Sequence, residues 1–243
     1  MSLTAISKNK MKIIAHRSGT DIFPEQTILS ARNSISLGAD FIEIDVRFTS
    51  DGEAVINHDS TAERLYKIKR DIDEMTLEEF MSLRRSDDAA FAAHRFEDFL
   101  RLVSAPLLLH IKEGGEYIEK IAGLVKKYGR EADTVFGVQS VNDLSLVKKF
   151  SPVSKILAFM PKAENAAEFA AAGADYIRLW ENWCSTENIN AVAATGRELW
   201  IMSNSPVVGE VTNGCYEFYE KCGAAAVLVN KVSPAVEFYK NTK

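Results

Sequence analysis

The most constraining feature of this sequence is a repeated junction, in which a helix ends, Gly-Ala-Asp follows and a strand begins. The junction occurs at residues 38–40 and 173–175, and Gly223-Ala224-Ala225 is a third variant. Strands that alternate with helices predict a parallel sheet. Eight strand–helix units fit the 243 residues if residues 53–58 are an excursion from the second unit. We therefore predict a (β/α)8 TIM barrel with a small insertion after the second strand.

The alternative fold is a doubly wound open sheet, but no glycine-rich dinucleotide loop follows the first strand. We find no linker, repeat array or low-complexity tract that would divide the chain. The prediction is accordingly one domain over residues 1–243, with an ordered core at about 12–240.

Charge and hydrophobicity limit the expected partners and location. The net charge is -5 without a basic cluster, so a nucleic-acid partner is not expected. No apolar run approaches the ~20 residues of a membrane helix, so no integral membrane segment is predicted. Met1–Ala5 shows no export signal, and three cysteines do not form a disulfide framework. A cytoplasmic location is expected; a periplasmic or secreted one is the alternative if a leader has been removed.

Active sites of such barrels lie at the carboxyl ends of the strands. Polar residues at those positions are therefore expected to be functional. They are His16 and Arg17, Glu43 and Asp45, His110 and Lys112, Gln139 and Ser140, Arg178 and Asn204.

Two carboxylates stand out because they lie two residues apart in a strand that should be buried. Glu43 and Asp45 must point to the same side, which requires a compensating cation or a paired hydrogen-bond donor. Their oxygens suit Mg²⁺ or Ca²⁺, and His110 could supply a third ligand. A salt bridge between Lys112 and the two acids, without a metal, is the alternative interpretation.

Two histidines flank these acids. His16 is the last residue of the first predicted strand, residues 12–16, and His58 is the last residue of the short strand at residues 53–58. A histidine pair can serve as base and acid near neutral pH. Arg17 can bind a phosphate through two hydrogen bonds. His94 lies in a helical or loop segment, where we expect a surface residue.

Together these motifs resemble glycerophosphodiester phosphodiesterases. The matching residues are His16-Arg17, Pro24-Glu25-Gln26-Thr27, Gly38 to Val46, Asp51-Gly52 and His58-Asp59, with weaker similarity at Gln139-Ser140 and residues 200–204.

The resemblance implies a metal-dependent barrel enzyme that splits small-molecule phosphodiesters into sn-glycerol 3-phosphate and an alcohol. It implies that the neighbouring glycerol hydroxyl is the nucleophile and that a cyclic phosphate forms. It also implies roles for individual residues: acid and base for His16 and His58, metal binding for Glu43 and Asp45, and substrate binding for Arg17, Lys112, Gln139 and Glu25.

The sequence departs from the family pattern in four places. His110 replaces the usual third carboxylate ligand, and Gln26 replaces an Asn. The tryptophan motif at residues 200–204 is one residue longer, and Asn230 replaces an Asp. A histidine ligand makes Mn²⁺ or Zn²⁺ alternatives to the expected Mg²⁺ or Ca²⁺. Glu113 could replace the missing carboxylate only if the strand bulges or ends there.

Two other functions fit the same sequence. One is hydrolysis of a different diester, such as a sugar phosphodiester or a lysophospholipid. The other is a non-catalytic barrel that binds phosphate and has lost its third metal ligand.

Overall fold

The computed structural model describes residues 10–204, 206–212 and 214–241. The prediction that Met1–Ala5 carries no export signal concerns residues outside these ranges. The strands are β1 Lys12–Ala15, β2 Phe41–Phe48, β3 Ala54–Ile56, β4 His94–Arg95, β5 Leu107–Ile111, β6 Thr134–Val138, β7 Lys155–Ala158, β8 Tyr176–Trp180, β9 Glu198–Met202 and β10 Ala226–Val229. The helices are α1 Ile28–Leu37, α2 Glu63–Tyr66, α3 Leu77–Ser82, α4 Phe96–Leu102, α5 Tyr117–Lys127, α6 Val141–Phe150, α7 Ala166–Ala172, α8 Thr186–Ala194, α9 Cys215–Lys221 and α10 Val232–Asn241.

The parallel strands close into a barrel, which confirms the predicted fold class. Around the barrel the order is β1, β2, β5, β6, β7, β8, β9 and β10, and β1 pairs in parallel with both β2 and β10. This double pairing excludes the open-sheet alternative. None of the helices within the described ranges is long and apolar enough to cross a bilayer.

The repeated junction has a clear structural role. Gly38 and Gly173 end α1 and α7 with φ angles of 109° and 99°, a left-handed conformation that glycine adopts without strain. The Asp two residues later then accepts a backbone hydrogen bond from the preceding parallel strand, from Ile13 to Asp40 and from Ile156 to Asp175. The junction therefore ties each helix end to the strand beside it.

Side chains alternate between two apolar layers. One set faces into the barrel and includes Ile14, Leu108 and Trp200, all buried. The opposite set packs beneath the surrounding helices and includes Ile42, Ile44 and Leu109. Phe41 contacts the inner layer, so Glu43 and Asp45 on the same side of β2 also face the barrel interior.

Between β2 and β5 the chain leaves the barrel pattern. β3 pairs antiparallel with β2, and β4 pairs antiparallel with β3. Thr76 caps α3 with a capping box, in which its side chain and that of Glu79 bond reciprocally to the backbone. A small apolar cluster around Phe80 supports this segment.

Two predicted boundaries were wrong. The Pro24-Glu25 pair in the sequence predicts the first turn of a helix, but α1 begins at Ile28 and Thr27 is its cap. Gln26 has a φ of 62°, which a helix does not allow. The first strand was predicted to include His16, but it ends at Ala15, and His16 begins a short 3-10 turn.

Candidate active site

Four of the polar residues predicted at strand ends, His16, Glu43, His110 and Arg178, line one pocket at the mouth of the barrel. The whole pocket is lined by His16, Glu43, His58, His110, Phe159, Arg178, Trp180, Met202, Val208 and Leu228. Its two sides differ in chemistry. We call Glu43, Asp45, His110 and Lys112 the charged wall, and Phe159, Arg178, Trp180 and Met202 the aromatic wall.

The charged wall is a compact cluster at the ends of β2 and β5. Asp45 Oδ1 lies 2.8 Å from Lys112 Nζ and 3.1 Å from His110 Nδ1. Glu43 Oε1 lies 3.9 Å from the same His110 nitrogen. These contacts arise because Asp45 and His110 are register partners in the paired strands.

Burial and mutual repulsion give the two acids different proton affinities. Burial and the nearby Asp45 charge raise the pKa of Glu43 well above its ordinary value. Burial would also raise the pKa of Asp45, but Lys112 and His110 outweigh it and hold that pKa well below its ordinary value. Burial and Lys112 lower the pKa of His110 to about 4, so its imidazole is neutral near pH 7.

The charged wall fits a divalent cation. Glu43, Asp45 and His110 each offer one ligand atom, and these atoms lie within 4.8 Å of one another. Glu43 Oε1 is buried and accepts no hydrogen bond from the described residues, which leaves this oxygen available to a cation. Two carboxylates and a neutral imidazole can bind Mg²⁺, Mn²⁺ or Zn²⁺.

The loop after β1 supports this wall with strained backbone. Arg17 and Gln26 have φ angles of 50° and 62°, which are uncommon for residues other than glycine. This conformation lets the Arg17 backbone donate to Glu43 Oε2 at 2.6 Å. The Gln26 side chain donates to Asp45 Oδ2 at 2.5 Å. Gln26, noted in the sequence only as a departure, therefore contacts the cluster directly.

His16 is buried beside Asn230, the other residue noted as a departure. Its Nδ1 lies 2.6 Å from Asn230 Oδ1. The Asn230 amide nitrogen donates to the Val208 carbonyl at 2.8 Å, which fixes the amide with its oxygen towards the histidine. Nδ1 therefore carries the proton, and Nε2 has a free lone pair. Burial, with Arg17 nearby, lowers the pKa of His16 to about 3 and keeps the ring neutral.

His58 lies on the other side of the acids, at the end of the β3 segment. Its Nδ1 contacts Asp59 Oδ1 at 2.7 Å, and Arg64 binds both Asp59 and Glu25. Glu25 also pairs with Arg17 at 3.3 Å. Burial lowers the pKa of His58, although Asp45 and Asp59 oppose that effect.

The aromatic wall lies opposite the charged wall. Phe159 stacks on the His110 ring with centroids 4.2 Å apart, and a β-carbon at Gly137 would lie 2.3 Å from the Phe159 ring. Gly137 thus provides the space that Phe159 occupies. Arg178 is buried, and its guanidinium carbon lies 4.0 Å from the Trp180 ring centroid.

The structure also shows the positions of three further residues that the sequence analysis discussed. Gln139 lies beside the cluster, with Nε2 3.4 Å from His110 Nε2. Glu113 is not part of the ligand cluster, because it pairs with Arg47. His94 is half-buried and not the surface residue that we expected, since it is the register partner of Ile56 in β3 and its ring meets Phe99 edge-on at 5.9 Å.

The fold and the mouth together define a class: (β/α)8 barrels with a carboxylate–histidine cluster flanked by two further histidines. Comparison with known proteins agrees with this class. The model of the Glycerophosphoryl diester phosphodiesterase family matches residues 16–177. The chain belongs to this family.

Named relatives share part of the sequence. Glycerophosphodiester phosphodiesterase of Caldanaerobacter subterraneus is 32% identical over 161 residues, which are 60% of this chain and 65% of that protein. Lysophospholipase D GDPD3 of Homo sapiens is 28% identical over 156 residues, 59% of this chain and 49% of that protein. The match thus spans less than two thirds of either relative.

Solved structures share the fold over almost the whole chain. A glycerophosphodiester phosphodiesterase from Agrobacterium tumefaciens has a TM-score of 0.78 at 21% identity, covering 93% of this chain and 99% of that one. One from Parabacteroides distasonis has a TM-score of 0.78 at 16% identity, covering 98% and 100%. At these identities the likeness establishes the fold.

Proposed function

We propose that this chain hydrolyses glycerophosphodiesters to sn-glycerol 3-phosphate and an alcohol, with His16 as base and His58 as acid. The observation that carries the proposal is that both rings line one pocket together with Glu43 and His110. Family membership supports the same reaction.

His16 suits the role of base. Asn230 holds the proton on Nδ1, so Nε2 is free to accept a proton from the 2-hydroxyl of the glycerol half. That hydroxyl oxygen attacks phosphorus, and the bond from phosphorus to the alcohol oxygen breaks. The anionic diester beside the ring raises the proton affinity that burial has lowered.

His58 suits the role of acid. It is more exposed than His16, and Asp59 stabilises its protonated form through Nδ1. A proton on Nε2 can therefore pass to the departing alcohol oxygen. Water then opens the cyclic phosphate with the two histidines in reversed roles, which yields sn-glycerol 3-phosphate.

The proposed metal ligands are Glu43, Asp45 and His110, with Mg²⁺ or Ca²⁺ expected and Mn²⁺ or Zn²⁺ as alternatives. A bound divalent ion would neutralise charge that develops on the phosphoryl oxygens. Arg17 is placed to contact the phosphate, because its Nε is buried and makes no hydrogen bond among the described residues. Lys112, Gln139 and Glu25 are the other proposed substrate contacts.

The test is turnover of glycerophosphocholine by His16→Gln and His58→Gln, with release of sn-glycerol 3-phosphate as the readout. We expect kcat to fall at least about 100-fold in each variant. His94→Gln is the matched control, because His94 packs against Phe99 away from the pocket, and we expect its turnover within about twofold of wild type. Unchanged turnover in either active-site variant would remove that histidine from the mechanism.

The metal is tested by calorimetry on protein stripped with EDTA. Titration with Mg²⁺, Ca²⁺, Mn²⁺ and Zn²⁺ gives the preference, and His110→Glu should shift it towards Mg²⁺ and Ca²⁺. If His110→Glu leaves the affinities unchanged, His110 is not a ligand. If ions and diesters bind without turnover, the chain is a non-catalytic phosphate-binding barrel.

A further inference from the structure

Arg178 is the most unusual charged residue in the pocket. It lies in the middle of β8, is 3% exposed, and faces the pocket between layers of aromatic side chains. Its Nε and Nη1 atoms are buried without a hydrogen-bond partner among the described residues. An arginine left in this state costs free energy, since its lost hydration is not replaced by a partner.

Three aromatic rings surround this guanidinium, and none of them carries a compensating negative charge. Its central carbon lies 4.0 Å from the Trp180 ring centroid, 5.2 Å from Phe159 and 5.6 Å from Trp183. Aromatic faces attract a cation but accept none of its in-plane hydrogen bonds. Burial lowers the pKa of Arg178 to about 9, with no carboxylate to oppose the effect. The in-plane donors are therefore available to a ligand.

Position in the barrel separates Arg178 from the proposed phosphate site. In the strand order, β8 lies four positions from β2 in either direction, so the two strands are diametrically opposite. β2 carries Glu43 and Asp45, at which the proposed metal and the scissile phosphate would lie. A substrate whose phosphate lies there would span the mouth and reach Arg178 with one of its two halves.

The charges of the charged wall, the proposed metal ion and the phosphodiester balance one another without Arg178. With a metal bound, both Glu43 and Asp45 are ionised, and the charged wall contains one cation of its own, Lys112, which leaves one negative charge. A divalent ion and the single charge of a phosphodiester would balance that remainder. Outside the cluster, the remaining arginines of the mouth are also paired, Arg17 with Glu25 and Arg64 with Glu25 and Asp59. Arg178 is left for a second anion.

Resting on the proposed function, we propose that Arg178 binds a carboxylate or phosphate monoester on the alcohol half of the diester. The preferred substrates would then carry a second anionic group. The glycerol half has only hydroxyl groups, so the second charge can belong only to the alcohol. A guanidinium fork with free Nε and Nη1 donors matches the planar or tetrahedral oxygens of such groups.

The experiment compares diesters that share the glycerophosphoryl half. Glycerophosphoglycerol has an uncharged alcohol, glycerophosphoglycerate has a carboxylate, and glycerophosphoglycerol phosphate has a phosphate monoester. We expect wild-type kcat/KM to favour at least one anionic diester about tenfold or more over the neutral one. The anion with the larger ratio identifies which group Arg178 recognises.

Variants test whether Arg178 causes the preference. Arg178→Gln should bring the anionic-to-neutral ratio close to one, and Arg178→Lys should keep part of it because the charge remains. Arg197→Gln is the matched control, since Arg197 is exposed just before β9, and it should keep the wild-type ratio. A wild-type ratio near one, or an equal loss for all three diesters in Arg178→Gln, would overturn the proposal.

Failure of the proposed function gives a different result. If wild type hydrolyses none of the three diesters, the proposed reaction is wrong. The preference for an anionic over a neutral diester is then measured from calorimetric Kd values for the same compounds. A preference in Kd that disappears in Arg178→Gln supports the anion site. A preference that is unchanged in that variant overturns it. If Arg178→Gln does not fold, wild type and Arg178→Lys provide the test. A wild-type ratio near one, or an unchanged ratio in Arg178→Lys, would then overturn the proposal.

Discussion

The two walls of the barrel mouth bury charge in opposite ways. On the charged wall, Asp45 contacts Lys112, His110 and Gln26, so a completely buried carboxylate has several compensating partners. On the aromatic wall, Arg178 is buried among rings and has no ion pair within the described part of the chain. The charged wall therefore compensates Asp45 internally and leaves Glu43 Oε1 for a cation, whereas Arg178 on the aromatic wall has no charged partner among the described residues.

This difference indicates where each kind of function lies. A paired cluster keeps its geometry without substrate, as a preorganised catalytic site requires. An unpaired cation in an apolar setting gives little stability to the free protein but responds strongly to an incoming anion. We therefore expect substitutions on the charged wall to affect turnover and stability, and those on the aromatic wall to affect substrate choice.

The largest expected effect comes from removing a carboxylate from the charged wall. Glu43→Gln retains the shape of the side chain but removes one ligand charge from the cluster. We expect kcat/KM for glycerophosphocholine to fall about 1,000-fold, or about 4 kcal/mol in activation free energy. Calorimetry should show a parallel loss of divalent-ion affinity.

The control for this variant is Glu53→Gln. Glu53 is 43% exposed and pairs with Lys120 at 2.9 Å outside the pocket. Its replacement should leave kcat/KM within about twofold of wild type. If Glu43→Gln retains full metal affinity, Glu43 is not a ligand and the proposed site must be redrawn.

The next effect concerns the cation that the charged wall already contains. Lys112→Met removes the ammonium group 2.8 Å from Asp45 and leaves a buried carboxylate without its lysine. In EDTA we expect the free energy of unfolding to fall by about 3 kcal/mol. Mg²⁺ should then stabilise this variant more than wild type, because no ammonium group competes for Asp45.

Urea unfolding with and without Mg²⁺ measures both quantities. Lys120→Met is the matched control, since Lys120 pairs with Glu53 near the surface and should cost less than about 1 kcal/mol. If no divalent ion stabilises Lys112→Met, the cluster is a salt bridge and not a metal site.

Much of the charged wall could be predicted from sequence for a simple geometric reason. Residues two apart on a strand share a side, so Glu43 with Asp45 and His110 with Lys112 had to face the barrel together. Parallel pairing then places the two strands side by side. The proximity of His16 also follows, since the carboxyl end of β1 lies beside that of β2.

Loop conformation could not be predicted in the same way. Gln26 reaches Asp45 only because its backbone adopts a left-handed conformation, and the Pro-Glu pair beside it suggested a helix start instead. Asn230 is far from His16 in sequence and meets it only when β10 pairs with β1. Arg178 was recognised as a strand-end residue, but its lack of a partner depends on every neighbouring strand.

A smaller effect is expected on the pH dependence of stability. In the unfolded chain His16 has a pKa near 6.5, whereas in the fold burial lowers it to about 3. At pH 5 the unfolded state therefore binds a proton that the native state does not, so stability falls as pH falls from 7 to 5. For His16 alone the loss is about 2 kcal/mol.

Urea unfolding of metal-free protein at pH 7 and pH 5 checks this value. His16→Gln should lose about 2 kcal/mol less than wild type over the same interval, because glutamine does not titrate. In the remaining slope, the lowered pKa of His110 acts in the same direction, and the raised pKa of Glu43 opposes it. Equal losses in wild type and His16→Gln would show that His16 is protonated at pH 5 in the native protein.

The smallest predicted effect concerns the contact that joins the two walls. Phe159 stacks on His110 at 4.2 Å and lies 5.2 Å from the Arg178 guanidinium, so it is the one aromatic ring of the pocket lining that contacts both. A double-mutant cycle of Phe159→Leu with His110→Gln should give a coupling free energy of about 1 kcal/mol. The cycle of Phe159→Leu with His94→Gln should be additive, since His94 packs against Phe99 instead. A coupling near zero in the first cycle would mean that the walls act independently, and that His110 keeps its position through Asp45 and Lys112 alone.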